Sequence, residues 1–341
     1  MFDLFDLRLI LTKINNMKYL ITGITGFLGP HLAKILIENN HEVYGLVRIN
    51  MGRENDIRDI LSDDIFSKIK FVYADLCNYR ILRKIFEDNI FDGVFHLAAQ
   101  THPPTSFTDT IGTWEWNVMG SINLITCIKD LQPSLKFIFC STVEVYGNTG
   151  IEGQKLKETD KLLPANPYGA SKAAIDLYLQ ERINNKQMNI VIVRPFCFTG
   201  PRRGYNFSIS SDAYQIAKII KNKQDKVLKI GNLDTVRAVT DVRDIANAFF
   251  LIMINENTNG KIINICGGEP LKMRYYTEKL IELSKINDIK MEIDENLWRP
   301  IDIYYQDGDN QLCKDLVNWT PKYKIDETLK DLLDYWLNKI N

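Results

Sequence analysis

Short apolar runs alternate with amphipathic stretches along most of the chain, a pattern typical of buried strands connected by surface helices. The first run, Lys18–Thr22, reads KYLIT, and residues 27–39 after it have the periodicity of a helix. Further strand-like runs, with helical patterns between them, follow at residues 41–47, 71–74, 93–97, 137–140 and 190–193. Because strands and helices alternate, we predict a parallel sheet with helices on both faces, the doubly wound α/β arrangement of a Rossmann fold.

The alternation breaks after Arg194, where a stretch rich in proline and glycine begins. A helical pattern near residues 212–222 follows, and the apolar run 261–265 is expected to return to the main sheet. We therefore predict two parts. The larger is a Rossmann domain of residues 17–195 plus about 225–266, and the smaller is a substrate-binding α/β domain of about 196–224 plus 267–341.

Composition and charge narrow the classes of function. The chain has 341 residues and a net charge of −1, so charge favours neither nucleic acid nor a membrane surface as a partner. Six scattered cysteines without a CxxC pair and four histidines outside metal-ligand spacing predict reduced thiols, no metal site and a cytoplasmic location. Residues 1–16 carry Asp3 and Asp6 where a signal peptide would be basic, so we expect an N-terminal extension.

A glycine motif lies between the first predicted strand and the first helix. In TGITGFLG the glycines are Gly23, Gly26 and Gly29. This setting favours a dinucleotide site, because the turn brings the backbone close to a pyrophosphate and the helix N-terminus offers free N–H groups. The predicted cofactor contacts also include the motif's other residues and the ends of later strands, namely Thr25, Phe27, Leu28, Asp75, Leu76, Leu97, Ala98 and Ala99.

The end of the second strand indicates which dinucleotide is bound. NAD enzymes commonly have an acidic residue there, which binds the ribose 2′-hydroxyl. This chain has Arg48 instead, and the planar guanidinium of an arginine can pair with a 2′-phosphate. The sequence therefore favours NADP, with Arg53 in the next loop as a weaker candidate for the same contact.

Two further segments carry residues suited to proton transfer. FCSTVEVYG leaves a strand and contains Thr142, and PANPYGASK opens a helix that contains Tyr168 and Lys172. Tyr168 and Lys172 are four residues apart, so they lie on one helical face. The lysine charge can lower the tyrosine pKa and the lysine can hold the nicotinamide ribose, so both residues also belong to the predicted cofactor site.

With these segments in place, the chain resembles the extended short-chain dehydrogenases, and among them the GDP-mannose 4,6-dehydratases. The glycine motif and the Tyr-x-x-x-Lys pattern specify only the superfamily. Three short segments narrow the resemblance to enzymes that act on GDP-sugars. They are QTH beginning at Gln100, PRRG beginning at Pro201 and RP beginning at Arg299. It covers nearly all of the chain from Met17 onward.

The resemblance implies a reaction in which Tyr168 takes the proton of the C4 hydroxyl while hydride passes from C4 to NADP. Glu144 matches the family's base, which removes the C5 proton before water leaves from C6. The product would be GDP-4-keto-6-deoxymannose. The resemblance also implies that the GDP-hexose contacts are Gln100, Thr101, Arg203, Asn232, Arg237 and Arg299.

Two residues depart from the family pattern. Many members have asparagine, which helps to hold the sugar diphosphate, where this chain has Cys197, and Phe198 replaces a polar residue. These changes leave a GDP-heptose possible as substrate. The helix after Phe207 also resembles the related GDP-4-keto-6-deoxymannose reductase. An epimerase and a non-catalytic nucleotide sensor are further alternatives, although a sensor has no need of Thr142, Tyr168 and Lys172.

The family also implies self-association as a homodimer or homotetramer. The helical patterns at residues 110–130 and 168–184 resemble its paired dimer helices, and the loop of residues 48–56 resembles a segment that joins dimers. Trp114 and Trp116 lie on the first pattern, where they serve either as apolar anchors of the interface or as core residues.

Overall fold

A computed structural model describes residues 16–48, 52–186, 188–298 and 300–340. The predicted extension up to residue 15 and the predicted substrate residue Arg299 therefore lie outside the described residues. The strands are β1 Lys18–Thr22, β2 Glu42–Val47, β3 Ile69–Tyr73, β4 Gly93–His96, β5 Lys136–Cys140, β6 Asn189–Pro195, β7 Phe198–Thr199, β8 Val227–Ile230, β9 Val236–Ala238, β10 Thr240–Asp241, β11 Ile262–Ile265, β12 Pro270–Lys272, β13 Lys290–Ile293 and β14 Tyr305–Gln306.

The helices lie between these strands and after them. They are α1 Leu28–Glu38, α2 Asp63–Ser67, α3 Tyr79–Asp88, α4 Pro103–Thr108, α5 Thr110–Trp114, α6 Gly120–Leu131, α7 Pro167–Asn184, α8 Ser208–Ile220, α9 Val242–Ile254, α10 Met273–Ser284, α11 Gln311–Val317 and α12 Ile325–Lys339. Short 3₁₀ turns occur at Glu54–Asp59, Val143–Tyr146, Glu256–Thr258 and Glu295–Leu297. A π turn, Glu115–Met119, joins α5 to α6, so the segment predicted as one regular helix contains a bulge.

The main sheet has seven parallel strands in the order β11-β6-β5-β4-β1-β2-β3. This order reverses beside β1, which is the switch point where doubly wound sheets bind ligands. The predicted Rossmann fold is therefore confirmed, including the return of the run at residues 261–265 to the sheet as β11 beside β6. Predicted strand bounds differ from the observed ones by up to two residues, as expected where the signal is only a run of apolar side chains.

Both faces of the main sheet are buried, which explains why its strands are continuous apolar runs. On one face, α1 and α9 pack with residues such as Leu32, Leu36 and Phe249. On the other face, α3, α6 and α7 pack with residues such as Phe86 and Leu124. The carboxyl ends of β1, β4 and β5 are thereby held at one fixed edge.

A smaller core forms between α8, α10 and α12. It also takes in Leu228, Ile230 and Leu233, which the sequence analysis assigned to the larger part. The two-stranded sheet β13-β8 and the three-stranded sheet β12-β9-β14 belong to this region of the chain. None of the helices in the described ranges is long and apolar enough to cross a bilayer.

Candidate active site

A tight glycine turn connects β1 to α1. Gly23 has φ +75°, and a Cβ atom added there would lie 2.8 Å from the backbone nitrogen of Ala98. A Cβ on Gly29 would lie 2.6 Å from the Gly23 carbonyl oxygen, so this glycine allows the helix to pack against the turn. The Gly26 amide closes the turn by donating to Gly23 O at 2.9 Å. The turn therefore has the backbone approach that a pyrophosphate site requires.

A cleft of about 390 Å³ opens beside this turn. The predicted cofactor residues that line it are Gly23, Thr25, Gly26, Arg48, Asp75, Leu76, Ala98 and Ala99. Arg53, the weaker candidate for the 2′-phosphate, also lines it. Of the other predicted cofactor residues, Leu28 and Gly29 form the first turn of α1, and Leu97 donates its amide to Thr22 O at 3.2 Å. The residues around the cleft, which include the glycine turn and two arginines, fit a dinucleotide.

Trp116 is a residue of the cleft that the sequence analysis did not predict. It lies in the π turn and lines the cleft, and the guanidinium carbon of Arg48 is 5.1 Å from its ring centroid. No carboxylate of the described residues forms an ion pair with Arg48, so its charge is available to an anion in the cleft. The extra residue of the π turn leaves no simple periodic signal, which explains why Trp116 was assigned to an interface or a core.

Arg202 supports the glycine turn from outside. Its backbone is in the left-handed region at φ +77°, and its guanidinium donates to the Gly26 carbonyl oxygen. The same guanidinium donates to Asp59 Oδ1 at 3.0 Å, and Tyr335 of α12 donates its hydroxyl to Asp59 Oδ2 at 2.8 Å. The turn is thus connected to α12 through Arg202, whose side chain is 9% exposed.

The four predicted catalytic residues meet at the carboxyl end of β5. Thr142 caps the 3₁₀ turn Val143–Tyr146, where its Oγ1 accepts from the Glu144 amide at 3.3 Å. Helix α7 begins with Pro167, a favoured first residue, and carries Tyr168 and Lys172 toward the same place. The hydroxyls of Tyr168 and Thr142 are hydrogen-bonded, and both side chains are buried.

Burial has the largest effect on the pKa values of both Tyr168 and Lys172. It raises the pKa of Tyr168, while the bond to Thr142 and the positive charge of Arg203 lower it. The sequence predicts this charge effect for Lys172, whereas in the structure the cation that lowers the pKa of Tyr168 is Arg203. Burial also lowers the pKa of Lys172 to about 8, and its ammonium lies 4.2 Å from the centroid of the Phe139 ring.

Glu144 is buried beside the tyrosine, and its charge raises the pKa of Tyr168. Asn166 donates from Nδ2 to Glu144 Oε2 at 2.6 Å. Its Oδ1 accepts from the Gly169 amide at 2.7 Å, which caps α7. Asn166 therefore supports both candidate bases. It binds the carboxylate of Glu144 directly, and it caps the helix that carries Tyr168. Its NPY context predicted a helix start, but the contact with Glu144 depends on the fold.

A buried ion pair connects β6 to α7 and, through Ser141, to the end of β5. Arg194 of β6 makes two hydrogen bonds to Asp176 of α7, at 2.9 and 2.8 Å. Ser141, directly after β5, donates to Asp176 at 2.6 Å, and Arg194 also donates to the Tyr146 hydroxyl at 2.9 Å. Because every partner is paired, the network fixes the distance between β5, β6 and α7.

Arg203 is the predicted substrate residue whose charge acts on the candidate catalytic Tyr168. Its guanidinium carbon lies 3.4 Å from the ring centroid of Phe207, 4.9 Å from that of Phe27 and 5.5 Å from that of Phe198. Phe27 and Phe198 stack on one another at 5.4 Å. No carboxylate in the described part of the chain pairs with this arginine, and burial lowers its pKa to about 10.

The other predicted substrate side chains are differently placed. Gln100 donates to Thr113 Oγ1 at 3.0 Å and accepts from the His102 amide, and Thr101 is exposed. Asn232 donates to Asp302 Oδ2 at 2.7 Å. Arg237 donates to the carbonyl oxygens of Val236 and Ile303. Gln100, Asn232 and Arg237 already take part in internal hydrogen bonds, and the substrate contacts of all four residues stay predictions.

Comparison with known proteins decides the family. The family model described as GDP-mannose 4,6 dehydratase matches residues 20–332. The chain belongs to the GDP-mannose 4,6-dehydratase family. The family assignment inferred from the sequence motifs is therefore confirmed.

Individual relatives carry two different names. The human GDP-mannose 4,6 dehydratase is 29% identical over 341 residues, covering 92% of this chain and 90% of its own. The GDP-6-deoxy-D-mannose reductase of Pseudomonas aeruginosa is 28% identical over 321 residues, covering 94% of this chain and 97% of its own. The solved structure of RMD from P. aeruginosa complexed with NADPH matches with a TM-score of 0.80 and 25% identity, over 95% of this chain and all of that one. Family membership therefore leaves the reaction open between these two activities.

Proposed function

We propose that this protein is a GDP-mannose 4,6-dehydratase that uses NADP. The single observation that carries the proposal is the buried arrangement of Thr142, Tyr168 and Glu144, with Asn166 holding the carboxylate. A dehydratase of this family needs one base for a hydroxyl and a second for a carbon-bound proton, and this arrangement offers both. The cleft beside the glycine turn supports a dinucleotide as the cofactor.

The choice of NADP rests on the end of β2. Arg48 and Arg53 line the cleft there, whereas the conserved chemistry of NAD sites calls for a carboxylate at this position. The relative from P. aeruginosa whose structure contains NADPH supports the same choice. When bound, NADP supplies reversible hydride transfer at C4 and C6 of the sugar, which no side chain can perform.

Tyr168 would take the proton of the C4 hydroxyl, because Thr142 orients its hydroxyl and the charge of Arg203 favours the phenolate. The resulting 4-ketone acidifies the C5 proton, and Glu144 would remove that proton. Loss of the C6 hydroxyl as water, with hydride returned to C6 and a proton returned to C5, would give GDP-4-keto-6-deoxymannose. Arg203 would hold the diphosphate, because its planar guanidinium suits bidentate pairing with phosphate oxygens.

The second candidate is a GDP-4-keto-6-deoxymannose reductase. It is favoured by the similarity to the P. aeruginosa reductase, which extends over nearly the full length of both chains. The two activities differ in stoichiometry. A dehydratase regenerates its NADP in every cycle, whereas a reductase consumes one NADPH per product.

A product assay separates them. The purified protein is incubated with GDP-mannose and substoichiometric NADP in D₂O, and the sugar nucleotide is followed by mass spectrometry. We expect loss of one water and uptake of deuterium, without accumulation of NADPH. Glu144→Gln should lower the rate by about 100-fold or more, because general-base catalysis contributes 10²–10⁴-fold. The exposed Glu152→Gln is the matched control and should leave the rate unchanged.

Each contrary outcome points to another function. Reduction of GDP-4-keto-6-deoxymannose by NADPH, without turnover of GDP-mannose, would replace the dehydratase by the reductase. Inactivity with both compounds would indicate another sugar nucleotide such as a GDP-heptose, an epimerase, or a non-catalytic sensor. Equal activity of Glu144→Gln and wild type would remove Glu144 from the chemistry.

Self-association belongs to the same proposal. Exposed apolar side chains lie on the helices that resemble the family's dimer helices, among them Ile111, Trp114, Met119 and Leu177. Together they form the apolar surface that an interface between two copies would cover. We therefore propose a homodimer or homotetramer. The cytoplasmic location stays a prediction, and so does the division of the chain into two domains.

A further inference from the structure

Trp116 is a large aromatic residue of the cofactor cleft that the reaction described above does not use. It lines the cleft together with Arg48, and the guanidinium carbon of Arg48 lies 5.1 Å from the centroid of its ring. This distance is within the range of a cation–π contact, in which a cation is attracted to the face of an aromatic ring. Trp116 therefore lies against the arginine that the proposed function assigns to the 2′-phosphate of NADP.

The two residues beside Trp116 in the chain hold it in place. The carbonyl oxygen of Glu115 accepts from Cys77 Sγ at 3.4 Å, shortly after the end of β3. The buried side chain of Asn117 accepts from the Gln100 amide at 2.7 Å and donates to the Gln100 carbonyl oxygen at 2.9 Å, shortly after the end of β4. The π turn is thus anchored to two segments at the carboxyl edge of the main sheet, and π turns are frequent at functional sites.

The two arginines of the cleft differ in their partners. Arg53 donates from Nε to Asp56 Oδ2 at 3.1 Å, so a carboxylate already balances part of its charge. Arg48 pairs with no carboxylate in the described part of the chain, and its recorded contact is with the ring of Trp116. Because Arg48 is exposed, its side chain has many rotamers, and losing them on binding a ligand costs free energy. A contact with Trp116 in the free protein reduces that cost.

We propose that Trp116 positions the Arg48 guanidinium for the 2′-phosphate of NADP and thereby raises the preference of the protein for NADP over NAD. Trp116 is a positioning residue in this role, because its effect on the phosphate passes through Arg48. The inference rests on the proposed function only through the choice of NADP, and it is the same for a dehydratase and a reductase.

Titration calorimetry with NADP and NAD tests the proposal. Trp116→Leu should bind NADP about fivefold more weakly than wild type, which is the size expected from the loss of one cation–π contact. Its affinity for NAD, which lacks the 2′-phosphate, should be unchanged. Trp116→Phe keeps an aromatic ring and should retain most of the preference. Trp298 is exposed and does not line the cleft, so Trp298→Leu is the matched control and should bind both dinucleotides as wild type does.

A double-mutant cycle shows whether the effect passes through Arg48. Arg48→Ala should weaken NADP binding by itself, and adding Trp116→Leu to that variant should change the affinity little further. Adenosine 2′,5′-bisphosphate and adenosine 5′-monophosphate differ only in the 2′-phosphate. In the same cycle, only the bisphosphate should bind more weakly. Trp116→Met offers a second replacement without a ring if the leucine variant does not fold.

Three outcomes would overturn the proposal. The first is equal weakening of NADP and NAD by Trp116→Leu, because the ring would then contact a part that both dinucleotides share. The second is additive losses from Arg48→Ala and Trp116→Leu, and the third is unchanged affinity of the Trp116 variants for NADP. If the wild type itself binds NAD as tightly as NADP, the proposed choice of cofactor is overturned and this inference with it.

Discussion

The cofactor side and the substrate side of the candidate site are built in different ways. Beside α1, the binding surface is mainly backbone, and its shape follows from glycines that leave no room for a side chain. On the other side, the predicted binding groups are long side chains from distant segments. Gln100, Asn232 and Arg237 are already hydrogen-bonded within the protein, and Arg203 is enclosed by aromatic rings.

This difference indicates where specificity can change. A backbone turn can change little without losing the close approach between Gly23 and Ala98, so the cofactor side constrains its sequence tightly. Side-chain contacts from distant segments can be replaced one residue at a time. We therefore expect the choice of sugar nucleotide to depend on the part of the candidate site whose residues are easiest to replace.

Among the variants that test this comparison, we expect Gly23→Ala to have the largest effect, a loss of NADP affinity. The new Cβ meets backbone atoms at 2.8 Å, and φ +75° is unfavourable for alanine, so the turn must shift. We expect NADP to bind roughly 100-fold more weakly, which corresponds to about 2.7 kcal/mol. Quenching of tryptophan fluorescence by NADP can report this, because Trp116 lines the cleft.

Gly153→Ala is the matched control for that variant. Gly153 has a similar φ of +78°, but an added Cβ there meets nothing within 4 Å. It should therefore cost some stability and leave the NADP affinity unchanged. If both variants bind NADP as the wild type does, the cofactor side does not depend on its backbone shape.

A smaller effect should distinguish two arginines of the substrate side. Arg203→Lys keeps the charge but loses the planar group that lies over Phe207, so KM for GDP-mannose should rise about tenfold. Arg237→Lys loses hydrogen bonds to two backbone carbonyls, so it should lower the free energy of unfolding by about 1–3 kcal/mol. Steady-state kinetics and urea unfolding measure the two quantities. Identical profiles for both variants would contradict the distinction.

The smallest effect concerns the pH dependence of the smaller core. Asp212 of α8 is buried and accepts from the Thr277 hydroxyl of α10 at 2.7 Å, and burial raises its pKa to about 7. The folded state therefore holds this proton more tightly than the unfolded state, whose pKa is about 3.9. Stability contributed by Asp212 should be present below about pH 4 and lost as the pH rises to about 7.

Asp212→Asn stays neutral, so its melting temperature relative to wild type should rise by several degrees between pH 4 and pH 8. The exposed Asp225→Asn serves as control and should show no such trend. A constant difference between Asp212→Asn and wild type over this range would show that the carboxylate does not titrate there.

The sequence predicted best what depends on local pattern. β1 was predicted with its observed bounds, because its apolar run is bounded by the glycine turn. Tyr168 and Lys172 were placed on one helix correctly, because Pro167 marks the start of α7. The family followed from the same motifs, since each combines a residue type with a fixed spacing.

Other features depend on contacts between distant segments and could not be predicted in this way. Trp116 faces the cleft because a π turn shifts the helix by one residue. Gln306 meets Cys197, 109 residues away in sequence, because β14 joins β9 in a particular register. Asn166 was part of a recognised motif, yet its bond to Glu144 depends on how β5 and α7 pack.

The connection from Gly26 through Arg202 and Asp59 to Tyr335 has a consequence for synthesis of the chain. Asp59 and Tyr335 are 276 residues apart, so a ribosome working at about 5–20 residues per second makes the tyrosine roughly 15–55 s after the aspartate. Throughout that interval the nascent chain contains the residues of the glycine turn but lacks Tyr335 of α12, which binds the same Asp59 as Arg202. The cofactor turn is among the first features to be translated and among the last to be completed.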